Sequence, residues 1–192
     1  MKVLPAVEPR ELKGLGRNYG APRRVVVPLE RWPMPRGARA DRRGEAIFAI
    51  RDRSARVLLH AKGFYPQGVF RLPGGGIHRD EKVADALFRE VAEETGLRVQ
   101  IDAFVAVVEY AVNRRRQPFA TYVFLLSTER LQPTVQDPKE RISEFKFASV
   151  NDLKATAEQL RHLPENWRIW GQFRAIPHDL VAEEMARIKA EG

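Results

Sequence analysis

Residues 72–97 read LPGGGIHRDEKVADALFREVAEETGL, and no other stretch restricts the architecture of this chain so tightly. Pro73 is followed by Gly74, Gly75 and Gly76, a backbone without side chains that can turn sharply and come very close to a ligand. The pattern then predicts a helix over roughly 82–95, with Asp80 or the residue after it as cap and Gly96 at the left-handed stop. Glu90, Glu93 and Glu94 stand at offsets of three and four, on one side of that helix. At about 100° per residue, Ala84, Leu87, Phe88 and Val91 form an apolar stripe bordering the acids, which places the carboxylates at the edge of the core. Three neighbouring carboxylates repel one another, and a bound cation explains the crowding. Oxygen donors of this kind suit Mg²⁺ or Mn²⁺ rather than zinc. Arg89, four residues before Glu93, is placed to tie one carboxylate, and Glu81 is favoured near the helix start by the helix dipole.

Strand-like segments surround this core: 45–50, 56–61 and 69–72 before it, then 99–112, 119–127 and 142–150 after it. The turn 51–54 is polar and the loop 113–118 is basic. Asn151 or Asp152 is placed to cap a following helix, and the chain after Pro177 reads as another. Mixed strands with few helices indicate an α+β fold. With 192 residues and 44% hydrophobic content, one such domain can build its core unaided. The absence of cysteine excludes disulfides, thiolate metal sites and a cysteine nucleophile. With no membrane-length apolar run and no signal-peptide core, the expected setting is the cytoplasm.

Charge divides the chain. Residues 1–43 hold eleven Lys or Arg, four acids and six of the thirteen prolines, for a net +7, whereas the remainder is nearly balanced at +1. The expected organisation is therefore a basic, proline-rich arm over 1–43 and a larger domain over 44–192 ending in a helix. The prolines forbid one long helix in the arm, and Val25–Val27 suits an edge strand or a homodimer contact. The arm favours anionic partners, but nucleic acid is the less favoured reading because basic–aromatic alternation is missing.

One spacing joins these features: Gly75, five residues, Glu81, seven residues, then Arg89-Glu90-Val91-Ala92-Glu93-Glu94-Thr95-Gly96-Leu97. It resembles the Nudix box at every fixed position. The resemblance implies an α/β/α sandwich with a mixed β-sheet and Mg²⁺-dependent hydrolysis of a nucleoside diphosphate linked to another moiety X, giving NMP and phospho-X. By position, Glu90, Glu93 and Glu94 would be metal ligands with the Gly74 carbonyl. Arg89 would orient them, and Gly75, Glu81 and Gly96 would support the box. Glu140, with Glu144 as second choice, is the candidate for the late-loop glutamate many members recruit. The general base stays open among Glu94, Glu90 and Glu140.

X is not specified by the sequence; ADP-ribose or a nucleotide sugar is the working expectation. The family's downstream substrate cues have only loose counterparts in Tyr110 and Pro118. Arg114, Arg115 and Arg116 are candidates for gripping phosphates, and Phe64 and Tyr65 for stacking on a ring. Trp167, Trp170 and Phe173 recur every three residues, which indicates packing on the core. The rival is a non-catalytic nucleotide-sensing or nucleic-acid-binding module that uses the basic arm.

Overall fold

The computed structural model describes residues 8–33, 41–129 and 132–191, apart from the side chain of Arg116. Its elements in order are α1 (Pro9–Tyr19), β1 (Arg23–Leu29), β2 (Arg42–Arg51), β3 (Val57–Lys62), β4 (Gly74–His78), α2 (Val83–Thr95), β5 (Gln100–Val112), β6 (Arg115–Ser127), β7 (Ile142–Ala148), α3 (Val150–Arg161) and α4 (Glu165–Glu191). The sheet runs β1-β5-β6-β2-β3-β7, with β4 paired to β2. β1–β5 and β2–β6 are parallel, whereas β5–β6, β2–β4 and β3–β7 are antiparallel, so the sheet is mixed.

Both faces of this sheet are covered, which is why β2 reads as a continuous apolar run. Ala46, Phe48 and Ile50 face one way and pack with Val83, Ala86, Leu87 and Val91 of α2 and Leu15 of α1. Ile47 and Ala49 face the other way, toward Leu153 of α3 and Phe173, Val181 and Met185 of α4. The result is an α/β/α sandwich, as expected. Among the described residues, no helix is long and apolar enough to cross a membrane.

Several local expectations are corrected. The glycine run makes no sharp turn: Gly74–His78 is β4, in register with Arg42–Ile47. The segment 69–72 forms no strand and contributes only the Arg71–His60 bridge. The basic loop 113–118 shrinks to a two-residue turn, Asn113 and Arg114 at φ 50° and 63°, because β6 already starts at Arg115. Residues 9–19 form a helix that sequence reading missed, and residues 23–29 join the sheet edge beside β5. Lys82 rather than Asp80 is the cap position of α2, without a side-chain bond, and Ser149 caps α3 in a reciprocal box with Asp152. Phe88 is exposed; the buried face of α2 consists of Val83, Ala86, Leu87 and Val91 together with Glu90, Glu94 and Thr95. α4 runs unbroken through the buried Pro177, tertiary packing outweighing propensity.

Several polar groups inside the sandwich pair with one another, whereas both ring nitrogens of His60 and Nε of Arg174 are buried without a hydrogen-bond partner among the described residues. Glu45 accepts from Thr121 Oγ1 and from Arg174 Nη1, both at 2.8 Å, and the Tyr110 and Thr121 hydroxyls meet at 2.8 Å. His178 on α4 accepts from the Leu72 N–H through Nε2 (3.1 Å), while its Nδ1 lies 2.8 Å from the Arg174 carbonyl. α4 thereby pins the chain directly before β4. Burial first, and then the charges of Arg71, Arg174 and Arg161, push the His178 pKa down to about 3.

His178 is therefore neutral when folded but charges in the unfolded chain below 6.5, so stability present above that pH is lost as pH falls toward 3. The buried His60 acts with the same sign. Urea unfolding between pH 6.5 and 4 is expected to show a slope in His178→Gln shallower than wild type by up to about 1.4 kcal/mol per pH unit. Equal slopes would show that His178 does not carry this linkage.

Candidate active site

β4 and α2 pack face to face, and the contact admits no side chain at its centre. A Cβ added to Gly75 would lie 2.1 Å from the Glu90 carboxylate. The glycine is thus required by the close approach of strand and carboxylate. Gly96 closes the helix at φ 63°, its N–H bonding the Ala92 carbonyl.

Arg89 organises the acidic side of α2. Its guanidinium donates to Glu81 Oε1 (2.8 Å) and Oε2 (2.9 Å), to the Gly76 carbonyl (2.9 Å), to Glu90 Oε1 (2.7 Å) and to Glu93 Oε2 (3.1 Å). Hydrogen bonding from Arg89 holds the Glu81 pKa below its ordinary range. Burial pushes Glu90 upward, partly offset by Arg89.

Glu140 arrives from a short 3₁₀ turn, Pro138–Glu140, capped by the Asp137 side chain accepting from the Lys139 N–H. One carboxylate oxygen from each of Glu90, Glu93 and Glu140 lies within 4.8 Å of the others. Three hard oxygen donors so close fit one divalent cation of the Mg²⁺ or Mn²⁺ type. The second-choice Glu144 is on β7, outside this group.

Glu94 has a different setting. It is fully buried, with Oε2 accepting from the Gly74 N–H at 2.8 Å. Its Oε1 lies 3.0 Å from Lys62 Nζ, which also donates to Glu140 at 2.5 Å. Burial pushes the Glu94 pKa up to about 7, against the pull of Arg71 and Lys62. His60, 3.8 Å away, is kept neutral by burial and supplies no compensating charge. In Glu140, Lys62 outweighs burial and the net shift is downward. A dry carboxyl poised near neutrality is suited to exchanging a proton. The Gly74 carbonyl accepts from Arg71 Nη2 at 3.3 Å on the same side of the site.

The remaining candidates separate. Phe64 is 47% exposed and follows Gly63, whose N–H bonds the Arg141 carbonyl; the Arg141 guanidinium lies 5.1 Å from the Phe64 ring centre. The ring therefore stands beside the Glu140 turn. Tyr65 meets Phe64 edge-on at 4.9 Å but faces inward, accepting from Arg71 Nε (2.7 Å) and packing on Trp170 (5.0 Å). Trp167 and Trp170 pack partly buried beside Tyr65, and Phe173 lies in the core. Tyr110 is buried against Trp32 and Phe173, away from any ligand surface. Pro118 lies within β6.

Ala46 is level with Gly75 on one side and Tyr122 on the other, which puts Arg115 seven residues along β6, roughly 23 Å from that level. Arg114 and Arg115 are thus exposed at the far end of the sheet, and the side chain of Arg116 lies outside the described residues. Lys62, His60 and Arg71 were missed by sequence reading. Their one signal was a charged or polar residue in or beside an apolar strand, which also suits a sheet edge.

A family model described as NUDIX domain matches residues 41–168, and the chain belongs to that family. It is accordingly a pyrophosphohydrolase of the Nudix class. Its relatives include an ADP-ribose pyrophosphatase of Methanocaldococcus jannaschii, 26% identical over 65% of this chain and 73% of that protein. Phosphatase NudJ of Shigella boydii is 23% identical over 66% and 87%. Diphosphoinositol polyphosphate phosphohydrolase 3-alpha of Mus musculus is 33% identical over 45% of this chain, a match spanning half of that protein's length. In fold, the chain is similar to a C. elegans Ap4A hydrolase, with TM-score 0.53 and 15% identity over 77% of this chain and 99% of that one.

Removing Lys62 would leave Glu94 buried without its closest cation. Lys62→Met is expected to cost more in urea unfolding at pH 9, where Glu94 is otherwise ionised, than at pH 6, and Glu94→Gln in the same chain to remove most of that difference. Additive effects of the two substitutions would show that the pair is not coupled.

Proposed function

We propose that the chain hydrolyses a nucleoside diphosphate linked to a second moiety, with Mg²⁺ as cofactor and ADP-ribose or a nucleotide sugar as substrate. The convergence of Glu90, Glu93 and Glu140 within the box geometry is the observation that carries this reading. These three carboxylates hold the cation, with Glu94 and the Gly74 carbonyl bordering the same cradle. A divalent ion held there would supply charge neutralisation for the diphosphate and a water of lowered pKa for attack at phosphorus.

The other tasks belong to this chain's own groups. Arg89 keeps Glu90 and Glu93 close despite their repulsion, so no rearrangement is needed when substrate enters. Glu94, held by the Gly74 N–H, or Glu140, held by Lys62, accepts the proton of the attacking water. Phe64 offers a ring face to the nucleotide base, and Arg141 places a cation next to it. The M. jannaschii relative's name supports ADP-ribose as the first substrate to try.

The test is product analysis over ADP-ribose, nucleotide sugars, dinucleoside polyphosphates and nucleoside triphosphates with Mg²⁺ or Mn²⁺. Glu93→Gln is expected to lower kcat by about a hundredfold or more while leaving the circular dichroism spectrum and Tm in place. Phe64→Ala is expected to raise KM about tenfold with kcat little changed. Tight nucleotide binding without turnover of any panel member would favour the sensing module instead.

A further inference from the structure

We infer that α1, which lies outside the family-matched stretch, is part of the catalytic apparatus, with Glu11 as a positioning residue for the cation-binding helix. The inference rests on reading Glu90, Glu93 and Glu140 as the cation cradle. Helix α2 begins without an acceptor of its own. Its cap residue, Lys82, makes no side-chain bond, and lysine has no acceptor atom to offer. The Glu81 carboxylate is committed to Arg89 and the His78 N–H. Glu11 supplies what is missing from 72 residues away, as its Oε1 accepts from the Val83 N–H at 2.5 Å. A carboxylate at that position also meets the positive end of the helix dipole.

The other oxygen of Glu11 extends the connection. Oε2 accepts from Arg43 Nη2 at 2.7 Å, and the same nitrogen donates to the Glu81 carbonyl at 2.9 Å. Both side chains of this ion pair are largely buried, so screening is weak and the geometry is restrained. Hydrogen bonds thus run from Glu11 through Arg43 to the Glu81 backbone carbonyl, and from the Glu81 carboxylate through Arg89 to Glu90 and Glu93. Leu15, with Leu12 and Tyr19, docks α1 on the face of the sheet that carries α2, holding Glu11 in place. Removing the Glu11 carboxylate frees the first turn of α2 and leaves Arg43 buried without its acid. Both effects reach the cradle through Glu81 and Arg89. Groups hydrogen-bonded directly to metal ligands typically change metal affinity by tenfold or more, and Arg89, through which Glu11 acts, is such a group.

The experiment measures Mn²⁺ binding to the full chain by calorimetry and by the electron paramagnetic resonance signal of free Mn²⁺, without substrate. Glu11→Ala is expected to weaken Mn²⁺ about tenfold. Glu11→Gln, which keeps an acceptor for Val83 but loses the charge facing Arg43, should fall between that variant and wild type. The exposed Glu8, changed to Gln, should bind as wild type. With turnover substrate, the Glu11 variants should need more Mg²⁺ for half-maximal rate yet regain kcat within twofold at saturating Mg²⁺. A lower Tm with Mn²⁺ Kd within twofold of wild type in both Glu11 variants would overturn the inference, because that pattern describes a helix that only stabilises. Glu93→Gln binding Mn²⁺ as tightly as wild type would overturn the cradle itself, an outcome separable from the first because it does not involve Glu11.

Discussion

One guanidinium allows the site to exist. Glu90 and Glu93 lie on one side of a single helix, where their mutual repulsion would otherwise spread them. Arg89 lies between them and Glu81 and donates to all three, and to the backbone of β4 as well. A lysine there would carry the charge but not the fork, and it has too few donors fixed in a plane to serve strand and helix at once. The contact at Gly75 depends on the same arrangement, because the Glu90 carboxylate occupies the space a side chain would need.

A second cation divides the labour. Lys62, at the end of β3, stands between Glu94 and Glu140, so the last turn of the helix and the 3₁₀ turn before β7 are joined by one ammonium. For Glu94, burial outweighs the pull of Lys62 and Arg71, and the neighbouring imidazole of His60 is neutral. Glu45, Arg174, Thr121 and Tyr110 form a second linked polar group. Its charges still reach the site side, Glu45 acting on Arg71 and Arg174 on His60.

What could be read from sequence was whatever is encoded locally. Helix α2 and its left-handed stop at Gly96, the paired apolar strands and the acidic side of the box all follow from spacing within about twenty residues. The box also led to Glu140, because a family pattern carries distant information that periodicity does not. Features made by distant partners stayed hidden. The glycines read as a place for a sharp turn because nothing in Gly74-Gly75-Gly76 announces pairing with β2. Asp80 was the local choice of cap, yet the acceptor comes from α1. Lys62 and His60 looked like ordinary strand residues until β3 was placed beside the end of α2. The basic turn at Arg114 suggested phosphate contacts on composition, and strand length carried it elsewhere.

The pairing of β1 with β5 has a consequence for the order in which the molecule is made. Arg23 is opposite Ala106 and Leu29 opposite Val112, so this strand, once synthesised, has no neighbour in the sheet until more than eighty further residues have been added. Such long closures are slow, and an unpaired strand edge invites association with other chains in the interval. Segment 23–29 opens with two arginines and carries Pro28 near its end, features that discourage such pairing. The two arginines and the proline of this strand therefore guard an edge before the sheet that will hold it is complete.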